Sequence, residues 1–130
     1  MPPPNPPTAR VQIFGLEKDP ATRAAIRFFK ERRIEIHLVD LRRKPIAPGE
    51  LRRFVDGLGA DALLDREGRA YREAGLGYLR MDVPEIVERL LADPGLLRLP
   101  LVRFAQAVSA GRAEATWKSW LTPAGGSRPK

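Results

Sequence analysis

The sequence predicts an α/β domain with a small mixed sheet and helices on its faces. A short apolar run at residues 11–14 is followed by an amphipathic helix and then by an alternating strand at residues 34–39. Later, two strand-like runs at residues 99–104 and 105–110 precede a last helix near residues 113–121. We therefore expect a strand–helix–strand half and a strand–strand–helix half, separated by a helical insert.

The first helix has a well-marked start and one apolar face. Asp19 is a residue type favoured at helix N-caps, and Pro20 suits the first helical position, where its missing N–H is not needed. Small or aromatic residues then recur at the spacing of a single helical face: Ala21, Ala24, Ala25, Phe28 and Phe29. The strands on either side should be parallel, because the connection is long enough for a crossover. In the second strand, Glu35 and His37 should lie on the more polar side.

Helices also fill the middle and the end of the chain. Pro48 should open a helix with an apolar stripe, and Asp82 suits the N-cap of another. Between them, short apolar patches at residues 62–64 and 71–76 predict brief helices. The last helix should bury three large side chains that share one of its faces: Trp117, Trp120 and Leu121.

Composition limits the domain count and the chemistry. We expect one domain over residues 10–121, between a flexible proline-rich arm at residues 1–9 and a disordered tail at residues 122–130. The chain has no cysteine, which excludes disulfides, thiolate metal sites and thiol catalysis by its own residues. His37 is the only histidine, which excludes a multi-histidine metal site. We expect no metal and no cofactor.

Charge and hydropathy limit the setting and the partners. The net charge of +7 favours contact with an acidic surface. The lack of a recognisable nucleic-acid-binding motif disfavours direct binding of nucleic acid. No apolar run approaches the roughly 20 residues of a membrane helix, and no secretory signal pattern is visible. A cytoplasmic, bacterial-type setting without membrane contact is therefore expected, and the oligomeric state is left open.

Eight short segments together resemble a known family. They are Ile13-Phe14-Gly15, Glu31-Arg32-Arg33-Ile34, Leu38-Val39-Asp40, Pro48-Gly49-Glu50-Leu51, Ala62-Leu63-Leu64, Tyr71-Arg72-Glu73-Ala74-Gly75-Leu76, Ala92-Asp93-Pro94 and Leu99-Pro100-Leu101-Val102. In order and spacing they are similar to the arsenate reductase (ArsC) family, which includes the transcription regulator Spx and the YffB-type proteins. The resemblance covers residues 11–121. It implies a thioredoxin-like fold with a helical insert between its βαβ and ββα halves.

The resemblance also implies a degenerate redox site. Family members typically carry a reactive cysteine before the first helix, with Ser or Cys three residues later and Arg or Lys four residues later. This chain has Asp19, Thr22 and Arg23 at those places. A carboxylate cannot form a disulfide and would repel arsenate, so we expect no catalytic residue here and interpret Asp19 as a helix cap. A role for Asp19 as a general base is the alternative.

The anion clamp of the family is displaced in this sequence. Active reductases place arginines around the oxyanion, and two of the three positions hold Leu99 and Asp65 here. Arg98 and Arg66 stand beside them, and Arg112 lies near the third position. The resemblance therefore implies that arsenate reduction itself is lost.

Two functions stay open at the level of sequence. The first is a binding or regulatory role of Spx type, in which Arg42-Arg43-Lys44 and Arg52-Arg53 contact a protein such as the α subunit of RNA polymerase. The second is a cysteine-free enzyme or binder for a small anion or a glutathione-like ligand, in a groove between Asp19 and Pro100. Four arginines would edge that groove: Arg23, Arg66, Arg98 and Arg112. Pro100 matches the family proline, and we expect a cis Leu99–Pro100 bond.

Overall fold

A computed structural model describes residues 10–121. The predicted arm at residues 1–9 and the predicted tail at residues 122–130 lie outside the described residues. In chain order the elements are β1 (Arg10–Gly15), α1 (Pro20–Glu31), β2 (Glu35–Asp40), α2 (Pro48–Leu58), α3 (Arg69–Glu73), α4 (Val83–Ala92), β3 (Leu101–Phe104), β4 (Ala107–Ala110) and α5 (Glu114–Leu121). Three single 3₁₀ turns lie in the insert between α2 and β3: Asp61–Leu63, Leu76–Tyr78 and Pro94–Leu96.

The four strands form one mixed sheet in the order β2-β1-β3-β4. β1 pairs with β2 in parallel and with β3 antiparallel, and β3 and β4 form an antiparallel hairpin. This arrangement confirms the predicted mixed sheet and its helical insert. Both hairpin strands begin two residues later than predicted. Pro100 has no N–H for a ladder and precedes β3, while Ala105 and Gln106 form the turn, with Ala105 at φ 56°.

The two faces of the sheet hold separate cores. Along β1, Val11 and Ile13 face α1 and α5, whereas Phe14 faces the insert. This alternation follows from the period of two in a strand. The start of α4 is also as predicted, because Asp82 and Glu85 form a reciprocal capping box. The insert therefore lies on one side of the sheet, and α1 begins just after the carboxyl end of β1.

Helix α5 buries one of its three predicted core residues fully. Trp117 is 0% exposed, and its Nε1–H donates to Ser109 Oγ at 2.9 Å. Trp120 and Leu121 are only partly buried, although both pack against the same core. Trp120 stacks on Phe104, the last residue of β3, with ring centroids 6.3 Å apart. The prediction of full burial is therefore wrong for Trp120 and Leu121, in the last turn of α5.

Candidate functional site

The start of α1 is held by a small hydrogen-bond network around Asp19. The Oδ2 atom of Asp19 accepts from the Thr22 N–H at 2.9 Å and from the Thr22 hydroxyl at 2.7 Å. Thr22 is fully buried, and a Cβ atom on Gly15 would come within 2.7 Å of its Cγ2. The structure confirms the predicted cap, and the close approach explains why a glycine ends β1 here.

A cavity of about 370 Å³ opens beside this network. It lies between the start of α1, the segment before β3 and the connection from β4 to α5. Of the residues singled out from sequence, Asp19, Arg98 and Arg112 line it, together with Leu99 and Asp65. The backbone of Gly111 closes one side, because its N–H donates to the carbonyl oxygens of both Arg98 and Pro100 at 3.0 and 2.9 Å. We refer to this space as the Asp19 cleft.

The charges in the Asp19 cleft are of both signs, and two of them are unpaired. Arg112 is paired with Glu114 at 3.0 Å, which offsets its charge. The guanidinium of Arg98 and the carboxylate of Asp65 have no hydrogen-bond or ion-pair partner within residues 10–121. The Arg98 side chain crosses Gly111, where a Cβ atom would lie 2.7 Å from Nε. A ligand with groups of both signs therefore suits this cleft better than a simple oxyanion.

Three residues predicted to edge the groove do not line the Asp19 cleft. The Nε–H of Arg23 donates to the Glu17 carbonyl at 2.9 Å, and its side chain is exposed. Arg66 donates to Asp61 at 2.7 Å and to the Tyr71 hydroxyl at 3.0 Å, and it lines a neighbouring cavity of about 250 Å³. Pro100 is buried behind the lining residues, and its predicted cis bond to Leu99 is confirmed.

Sequence reasoning missed two contributors to this cleft. Asp65 was considered only as the loss of an arginine, yet it lines both cavities beside Arg98. Gly111 could have been suspected only from its residue type, since its contacts join segments that are distant in sequence. Within the same residues 10–121, Asp, Glu and His side chains form no group of three that would suit a metal. In that range no helix has both the length and the apolar character needed to cross a bilayer.

Comparison with known proteins settles the family. The family model described as the ArsC family matches residues 17–120. The chain belongs to the ArsC family. The matched region contains every residue that lines the Asp19 cleft except Leu16, so Asp19 lies within the aligned part of this ArsC-family chain. A search of curated protein sequences gave no match.

Solved structures agree with the ArsC-family fold. A YffB protein superposes with a TM-score of 0.79 at 18% identity, covering 86% of this chain and 99% of that one. A putative ArsC-family-related protein from Bacteroides fragilis superposes with a TM-score of 0.77 at 19% identity, covering 85% of this chain and 96% of that one. An arsenate reductase from Vibrio cholerae superposes with a TM-score of 0.76 at 19% identity, covering 86% of this chain and 98% of that one. These likenesses confirm the thioredoxin-like fold.

Proposed function

We propose that this ArsC-family chain acts by binding and has lost thiol redox chemistry. The observation that carries the proposal is the position of Asp19, which stands where the family cysteine is expected and binds Thr22 through two hydrogen bonds. The chain contains no cysteine that could replace the lost thiol. In a coupled arsenate reductase assay, turnover should stay at background. Activity above background that follows the purified chain would contradict the proposal.

The surface that best fits a protein partner lies around the start of α2. Five cationic side chains there are exposed and have no hydrogen-bond or ion-pair partner within residues 10–121: Arg42, Arg43, Lys44, Arg52 and Arg53. The backbone N–H groups of Arg43 and Lys44 both donate to the Asp40 carbonyl at 3.0 Å, which fixes the turn after β2. Arg43, Lys44 and Glu50 line one cavity, so this turn lies against the first turn of α2. We call this set the basic surface.

The basic surface supports a partner with an acidic face, because complementary charge speeds encounter and favours specific partners. The family that this chain resembles includes Spx, so the α subunit of RNA polymerase is the first partner to test. Contact with RNA polymerase would imply a cytoplasmic location. Binding of the purified α subunit to the full chain, measured by titration calorimetry, should weaken with added salt. No binding at low salt would exclude this partner.

Substitution tests whether the basic surface makes that contact. The double variant Arg42→Gln/Arg43→Gln should weaken α-subunit binding roughly three- to tenfold, since each exposed ion pair contributes about 0.2–1 kcal/mol. The variant Arg27→Gln/Arg80→Gln is a matched control, because both arginines are exposed, neither has a partner among residues 10–121, and the charge change is the same. Equal weakening in the two variants would indicate a general effect of net charge.

The Asp19 cleft favours a second candidate function, the binding of a glutathione-like ligand. Such a ligand carries carboxylates that suit Arg98 and an ammonium group that suits Asp65, the two unpaired charges of the cleft. Glutathione at millimolar concentration should raise the melting temperature of the chain. The variant Arg98→Gln should abolish that rise, and Arg66→Gln should leave it, because Arg66 is already held by Asp61. An unchanged melting temperature with glutathione would contradict this candidate.

A further inference from the structure

The insert covers only part of its side of the sheet. One apolar row crosses three strands beneath it: Val39, Phe14 and Leu101. The next row along the same face is polar. In it Gln12 of β1 lies directly opposite His37 of β2 and directly opposite Arg103 of β3. We call these three residues the sheet row. They line one open cavity of about 220 Å³, at the part of the face that the insert leaves uncovered.

The side chains of the sheet row are hydrogen-bond donors facing this cavity. Gln12 Nε2 lies 3.4 Å from His37 Nδ1. In the tautomer in which Nδ1 accepts from the amide, the proton of the imidazole is on Nε2, which can then donate to a ligand. The Nε–H of Arg103 donates to the Ala105 carbonyl at 3.1 Å, which orients the guanidinium. Its two terminal NH₂ groups then have no partner among the described residues.

The cavity at the sheet row lacks acidic side chains of its own. Its lining within residues 10–121 adds only Arg10 and Ala105 to the sheet row. Arg10 is already paired with Glu35 at 3.3 Å, whereas Arg103 has no carboxylate partner in the described part of the chain. A cationic fork beside an amide and an imidazole, without a balancing anion, is the arrangement that binds phosphate or carboxylate.

We propose that the sheet row binds the oxyanion group of a small molecule, either a phosphate ester or a carboxylate. Arg103 would hold two of its oxygens, and Gln12 and His37 would donate to the others. An adjoining cavity of about 450 Å³ shares Gln12 and His37, which leaves room for the rest of the ligand. Its lining carries charges of both signs: Arg43, Lys44, Glu17, Asp40 and Glu50. The three residues of the sheet row belong neither to the Asp19 cleft nor to the basic surface, so oxyanion binding there does not depend on the proposed function. Only the adjoining cavity borders Arg43 and Lys44 of the basic surface.

The only histidine of the chain provides a direct readout of this site. The imidazole C–H signals of His37 would be followed by NMR during titration with inorganic phosphate and, separately, with acetate. Chloride would keep the ionic strength constant, and the pH would be held fixed. We expect a saturable shift of the His37 signals with at least one of the two anions. Saturation by phosphate alone identifies a phosphate site, and saturation by acetate alone identifies a carboxylate site.

Two variants separate the sheet row from general surface charge. Arg103→Gln should weaken anion binding at least tenfold. Arg103→Lys should weaken it to an intermediate extent, because lysine keeps the charge but lacks the two parallel donors of the guanidinium. Arg27→Gln is the matched control, since Arg27 is exposed on α1 and has no hydrogen-bond or ion-pair partner within residues 10–121. Amide spectra that match the parent chain would verify the fold of each variant. Linear shifts with both anions, or equal weakening of anion binding in Arg103→Gln and Arg27→Gln, would overturn the proposal.

Discussion

Replacing Trp117 with alanine should lower the free energy of unfolding by about 3–5 kcal/mol, the usual effect of truncating a fully buried large aromatic residue. Trp117 is 0% exposed and contacts the rings of Phe28 and Phe29, with centroids 5.5 and 5.7 Å away. The substitution also leaves the buried Ser109 hydroxyl without its donor from the indole. Urea unfolding followed by far-ultraviolet circular dichroism measures the change without relying on tryptophan fluorescence.

Trp120→Ala is a matched control for this experiment. It removes the same side chain from the same helix, but Trp120 is only partly buried. Its main contact is the stacked ring of Phe104, for which the expected loss is about 1 kcal/mol. Similar losses in the two variants would mean that α5 does not pack through Trp117 as described.

Asp19→Ala should destabilise the chain by about 1–2 kcal/mol, because it removes the N-cap of α1. The buried Thr22 would lose the acceptor for both its N–H and its hydroxyl. Asp19→Asn should keep most of the stability, since the amide oxygen can still accept. Thermal and urea unfolding would compare these variants.

Asp65→Ala is the control for Asp19, because it removes a second carboxylate from the same cleft. The Asp65 carboxylate has no partner within residues 10–121, so the expected change is within about 0.5 kcal/mol. Equal effects of Asp19→Ala and Asp65→Ala would contradict the capping role of Asp19. A larger loss in Asp19→Asn than in Asp19→Ala would contradict it as well.

Local signals explain most of what could be predicted from the sequence. Asp19 and Asp82 each combine a side-chain acceptor with a nearby proline at the helix start, and both cap helices in the structure. The alternation in β1 and the helical period of α1 follow from burial on single faces. The exact start of β3 depended on the backbone of Pro100, which a pattern of apolar residues does not report.

The candidate site was less predictable, because its contacts are tertiary. Arg66 and Arg23 looked available in the sequence, but Asp61 and the Glu17 carbonyl hold them away from the Asp19 cleft. The sheet row could not be predicted from the sequence either. Gln12 and Arg103 are far apart in sequence, and they meet only through the register between β1 and β3.

The bond between Asp19 and Thr22 also restricts how this protein can change over evolutionary time. A single substitution of Asp19 by cysteine would place a thiol at the start of α1, but it would remove the acceptor that serves both donors of Thr22. Because Thr22 is fully buried, water could not easily take the place of the lost acceptor. A step from this sequence to one with a thiol at position 19 would therefore pass through a less stable protein, unless position 22 changed as well. The Asp19 cap therefore disfavours cysteine at position 19.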